Sequence, residues 1–203
     1  MKELIKKIVE KEWLMFSATQ NIGGTASCQQ RPDQFYIMRS SQFSAWNDES
    51  LESYLRDIEK AESKGENLVT IKYAYMMEST DPASYAAIAH KLPEVGAAKK
   101  AIVEELTALT LAWCKDFARR YPHVAAAGRP IESSADALYV TSVETYSRGE
   151  FSSYSEETLS LLLAHYKALA KEGYNVHEKV VGEEMRLMGA ESLDVAESIL
   201  SRR

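Results

Sequence analysis

Cysteine is scarce. Cys28 and Cys114 are the only two in 203 residues, and no Cys-x-x-Cys spacing exists. That excludes a disulfide framework and a structural zinc of the cysteine type, and points to free thiols in a reducing, cytoplasmic compartment. The four histidines, His90, His123, His165 and His177, stand apart. No Glu-x-x-His or His-x-x-x-His pair sets two ligands on one helix face, so no metal is expected. Long apolar runs are also missing. Charges interrupt even Leu4-Ile5-Lys6-Lys7-Ile8-Val9-Glu10, whereas a membrane span requires roughly 20 apolar residues. The start, Met1-Lys2-Glu3-Leu4, has no signal-peptide core. Basic charge is in deficit: 24 Lys and Arg against 30 Asp and Glu give a net charge of −6, with the two signs interleaved. A phosphate backbone would be repelled, and no segment supplies a basic recognition helix, so neither nucleic acid nor membrane is an expected partner. Association with a second copy stays open.

What is present is helical periodicity, in a composition 45% hydrophobic and 27% charged that suits a folded globular chain. Leu4, Ile5, Ile8, Val9, Trp13 and Phe16 recur at helical spacing over residues 2 to 20, and Gly23-Gly24 ends that helix. Pro32 starts a second helix that runs to about Trp46. Asn47 caps a third to Lys64, closed by Gly65, and Asn67 caps a fourth that ends near Glu78. Asp81-Pro82 opens a short segment, and Pro93 separates it from a long helix, roughly Ala97 to Tyr121. Further helices are expected near Ala135 to Ser147, from Glu156 to Glu172, from Val176 to Met188, and briefly after Ser192. No alternating strand pattern occurs, so the fold class is all-α.

An internal repeat organises these helices. Residues 43 to 78 laid without gaps over 151 to 186 give eight identical pairs, among them Phe43/Phe151, Leu51/Leu159, Gly65/Gly173 and Asn67/Asn175, against roughly two expected from ordinary residue frequencies. The pairs fall at caps and helix ends, where helix grammar requires them. The expectation is a single domain, 1–203, built of two pseudo-symmetric helical units, one about 1–80 and the other about 97–203, joined by a connector at 81–96.

Two polar stretches stand out as candidate chemistry. The first holds Asn21, Gly23, Gly24, Cys28 and Gln29, with Arg39 and Gln42 on the next helix. A glycine-rich bend can cradle an anion with its amides, and an arginine can close on a carboxylate or phosphate. Cys28 is a candidate nucleophile because Arg31 and a helix start lie close by. The second holds Arg129, after Gly128, and a hydroxyl-rich helix with Glu144, Tyr146, Arg148 and Glu150. Such a helix suits the wall of a polar cavity better than either surface or core.

These stretches carry a resemblance. Glu12-Trp13-Leu14-Met15-Phe16, Asn21 with Gly23-Gly24, Cys28-Gln29, Ile37-Met38-Arg39-Ser40-Ser41-Gln42-Phe43, Lys72-Tyr73-Ala74, Gly128-Arg129-Pro130 and Ser142-Val143-Glu144-Thr145-Tyr146-Ser147-Arg148-Gly149-Glu150-Phe151 resemble a bacterial family catalogued only as a domain of unknown function. Thr25 stands where the family often has an arginine, which shifts the clamp role to Arg39. The resemblance implies no reaction. The expected function is a binding protein or enzyme for a small polar, anionic metabolite held in a pocket between the two halves. Arg39 and Arg129 would grip the anion, Asn21, Gln29 and Gln42 would orient it, and Glu144, Glu150 or Cys28 would supply chemistry. The competing class is a noncatalytic interaction module, which requires exposed aromatic anchors.

Overall fold

The computed structural model describes residues 2–20 and 24–202. These residues form eleven α-helices and no strand: α1 (Lys2–Ala18), α2 (Pro32–Phe43), α3 (Asp48–Ser63), α4 (Leu68–Thr80), α5 (Pro82–Ile88), α6 (Ala97–Arg120), α7 (Pro122–Ala126), α8 (Val143–Ser153), α9 (Glu156–Lys171), α10 (Val176–Leu187) and α11 (Leu193–Leu200). The caps act as their chemistry requires. Asn47, Asn67, Ser155 and Asn175 each accept a first-turn amide through the side chain, which satisfies a donor the helix leaves unpaired. Gly65 and Gly173 take φ of 69° and 73° just past α3 and α9, a left-handed exit that glycine adopts without steric cost.

Helix α2 ends at Phe43, short of the expected Trp46, and Pro122 opens the unexpected α7, but the largest departure is at the helix expected over 135–147. There, Ser133–Ala135 makes a single 3-10 turn, residues 137–140 make a tight turn closed by a bridge between Ala137 and Val140, and α8 begins only at Val143. Asp136 is the reason. Its carboxylate accepts from the Ser142 amide at 2.6 Å and the Thr145 hydroxyl at 2.5 Å, which holds Ser142 extended as the N-cap and delays the helix.

The main core joins α1, α3, α6 and α9 around Ile8, Val9, Leu51, Ile58, Leu106, Leu159 and Leu162, all fully buried. Aromatic rings fill its centre, where Trp46, Phe43, Tyr54 and Tyr154 meet with centroids 4.5–5.8 Å apart. Edge-to-face and tilted pairs of this kind add about 1 kcal/mol each beyond the area they bury. A smaller cluster of Phe117, Val124 and Ala196 seats α7 and α11 on the end of α6.

Helix α8 packs closely on α4. Gly149 faces the α4 backbone so tightly that a Cβ there would lie 2.6 Å from Met76 Cγ and 2.9 Å from the Lys72 carbonyl oxygen. Gly149→Ala must push two backbones apart and is expected to cost about 1–3 kcal/mol in chemical denaturation. Gly182→Ala, inside α10 with its nearest neighbour 3.6 Å away, is the matched control and is expected to stabilise by about 0.5–1 kcal/mol through helix propensity.

Candidate functional site

Four charged side chains lie within the core where α1, α2, α4 and α8 meet, each no more than about 6% exposed. Each reaches the interior because it occupies a core position of its helix. Glu12 continues the stripe Ile5, Ile8, Val9 on α1, Arg39 sits between Phe35 and Phe43 on α2, and Lys72 between Leu68 and Met76 on α4, all at i, i+3 or i, i+4 spacing. Glu150 arrives from α8 one residue after Gly149, so the glycine's close approach is what brings the carboxylate to α4.

Arg39 is the hub. Its Nε and Nη2 donate to the two oxygens of Glu12, both at 2.6 Å, and its Nη1 donates to Glu150 at 2.7 Å and to Gln42 at 2.5 Å. Glu150 also accepts from Lys72 Nζ at 3.2 Å and Gln42 Nε2 at 2.8 Å, and Glu12 from the Tyr54 hydroxyl at 2.6 Å. Two anions and two cations cancel, and every carboxylate oxygen has a donor. Burial works against the charge on Arg39 and Lys72, yet their glutamates, with Tyr146 beside Lys72, hold both above their ordinary values. Burial likewise works to raise Glu150, but Arg39, Lys72 and Gln42 outweigh it and hold the carboxyl at about 2. Burial and the adjacent Glu12 push Tyr54 well up, so its hydroxyl remains a donor. A lysine held this firmly protonated is no nucleophile. The cluster is a set of locked charges.

Beside it, the Tyr146 ring has two cations over it, Lys72 Nζ at 5.0 Å and the Arg129 guanidinium at 4.8 Å from its centroid, and its hydroxyl accepts from Lys72 at 3.1 Å. Arg129 itself is exposed and donates to the Thr141 carbonyl. Gln29 spends its amide on structure: it donates to the carbonyls of Phe16 and Thr19 and accepts from Ala26 N, closing the end of α1. Gly24, at φ 86°, and Cys28 are exposed. Asn21 and Gly23 lie outside the described residues. Arg39, Gln42 and Glu150 thus come together directly, Tyr146 and Arg129 adjoin them through Lys72, and Gln29 and Cys28 do not enter the cluster.

Glu144 and Arg148 belong to the other face of α8. Glu144 accepts from Ser133 N at 2.7 Å and from Arg148 at 2.5 Å, and Arg148 makes a further fork to Glu104 at 2.9–3.1 Å. Together with Thr145, Gly149 and Ser152, Arg148 forms one wall of a cavity of about 660 Å³. Tyr75, Glu78 and Ser79 of α4, Tyr85 of α5, residues of the segment 89–95, Lys100, Val103 and Glu104 of α6, and Ser133 complete it. No group of three or more His, Cys, Asp or Glu able to hold a metal ion occurs among the described residues. Sequence reasoning missed Glu12, Tyr54 and Lys72 and the cavity at the connector. The first three carried a signal, being polar groups in phase with apolar stripes.

A family model described as "Protein of unknown function (DUF4125)" matches residues 2–198. No curated protein and no solved structure gives a significant match.

Arg39→Met leaves two buried carboxylates without their main cation, and an unfolding loss of about 3–5 kcal/mol is expected. Acid titration isolates Glu150. Because folding lowers its pKa from 4.5 to about 2, its contribution is complete above pH 4.5 and disappears as pH falls toward 2, on the order of 3 kcal/mol. The stability of Glu150→Gln, followed by urea unfolding, should therefore fall less steeply through that window than that of the parent protein.

Proposed function

The chain belongs to the family whose description it matches, and we propose that it is a small-molecule-binding protein whose ligand, a small polar metabolite with an acidic group, occupies the cavity between α4, α6, α8 and the connector. The observation that carries this reading is the cavity itself: about 660 Å³, within the range of ligand sites, with a few polar groups converging on mixed apolar walls. Arg148, with Lys100, is a cation of the cavity wall. It is 40% exposed, and three of its guanidinium N–H groups are taken by Glu104 and Glu144, which leaves two for a carboxylate or phosphate. Arg39, first in line by sequence, has its guanidinium engaged by Glu12 and Glu150, so in this reading it positions α8 and does not grip ligand.

The reading includes two pseudo-symmetric units, 1–80 and 97–203, with the cavity beside their connector. Supporting it, α4 packs on α8 as α10 packs on α2, and residues 108 apart touch, Gln42 with Glu150 at 2.8 Å and Trp46 with Tyr154 at 5.7 Å between rings. A residue meets its own equivalent only near a twofold axis. The free thiols of Cys28 and Cys114 favour a reducing, cytoplasmic compartment.

A second reading, the noncatalytic interaction module, has one observation in its favour. The turn after α7 presents Leu138, Tyr139 and Val140 at 59%, 94% and 42% exposure, an apolar tip of the kind that anchors partners.

A thermal-shift screen of anionic metabolites against the wild type and Ser152→Phe, which fills the cavity from α8, separates the two. Ligand binding to the folded state raises the melting temperature, and the expected result is hits that Ser152→Phe abolishes. No hit, combined with concentration-dependent association removed by Tyr139→Ser, would replace the metabolite reading with the interaction module.

A further inference from the structure

The cavity is polar in an ordered way. Tyr75 and Glu78 on α4 and Tyr85 on α5 share one side of it. Tyr85 is coupled to both of the others: burial and then Tyr85 push the Tyr75 phenol up to about 12, and burial and then Glu78 raise Tyr85. Both rings therefore stay neutral, with intact π faces, beside a carboxylate. The Tyr75 hydroxyl is tied down by donating to the Pro93 carbonyl at 2.6 Å, which fixes that ring as a wall. Neutral aromatic faces next to an acid attract a cation. The side formed by α6 and α8 has the opposite character. Lys100, Glu104 one helical turn beyond it, and Arg148 line this side together with Thr145 and Ser152 of α8, the Thr145 hydroxyl donating to Asp136. With Arg148 shared between Glu104 and Glu144, the donors this side keeps for an anion are the Lys100 ammonium and the two remaining Arg148 N–H groups.

Resting on the cavity reading above, we infer that the ligand is a small zwitterion, its ammonium-type group seated against Tyr75, Tyr85 and Glu78 and its carboxylate at Arg148 and Lys100. A dipolar site of this kind discriminates by penalty as much as by attraction. A dianion would leave its second charge against Glu78 and the two π faces, and a diamine would leave one against Arg148 and Lys100. The cavity volume accommodates an amino acid with room for a side chain or a longer spacer between the charges.

The test is isothermal titration calorimetry with a matched five-carbon series: pentanoate, pentylamine, aminopentanoate with the amine at the far end, and glutarate, alongside the anionic panel. Aminopentanoate is expected to bind at least about tenfold more tightly than pentanoate, pentylamine or glutarate, a factor that corresponds to about 1.4 kcal/mol. Glu78→Gln should bring aminopentanoate down toward the affinity of pentanoate, and Arg148→Gln toward that of pentylamine. If anions bind in a manner lost in Ser152→Phe but the added amine brings no gain, the zwitterion inference is overturned while the cavity reading stands. If neither the series nor the panel binds at all, both fall together.

Discussion

A guanidinium held between two carboxylates in the middle of a helical core fixes much of what surrounds it. Arg39 lies 2.6 Å from Glu12 and 2.7 Å from Glu150, so one side chain ties α1, α2 and α8 to a single point, and Lys72 adds α4. Buried ion pairs are poor sources of net stability, because desolvation offsets most of their Coulomb energy. Their consequence is specificity. A packing that separated any one member would strand a charge in a low-dielectric interior, so alternative registers of these four helices are penalised far more heavily than any hydrophobic mismatch would be. Gly149 makes the arrangement sterically feasible, since a side chain there would collide with the α4 backbone.

The same constraint reaches the cavity through α8. This helix turns Tyr146 and Glu150 toward the charged cluster and Thr145, Arg148 and Ser152 toward the cavity. Locking one face sets the rotation of the other. A cavity wall carried on a helix whose opposite face is pinned by four charges is pre-organised, and under the proposed function this would reduce the ordering cost of binding. The buried cluster and the open cavity are thus two sides of one element.

Local grammar made much of the helical order legible in the sequence. Asn47, Asn67, Asn175, Gly65 and Gly173 each serve as the caps and exits their residue types imply, because capping depends on a few neighbouring atoms. Where a boundary depended on a longer reach, the sequence misled. Asp136 bonds Ser142 and Thr145 and postpones α8, an interaction that periodicity does not encode. Arg39, Gln42 and Glu150 were identifiable as unusual, but that they satisfy one another is a property of the tertiary fold. Glu12, Tyr54 and Lys72 were overlooked because an apolar stripe invites the eye to skip its polar members. A charged residue in core phase on each of three helices is itself the signature of an internal ion network. The cavity was hidden for a different reason: its far wall comes from α5 and the segment 89–95, a connector with little pattern of its own.

The most direct test of this account is native-state hydrogen exchange on Glu150→Gln. If the cluster is what clamps α8 to α4, the amides of 68–80 and 143–153 should lose protection together and by more than those of α9 at 156–171, which packs through the apolar core. Equal protection loss across all three helices, or none in α4 and α8, would contradict the claim that the buried charges hold the cavity wall in place.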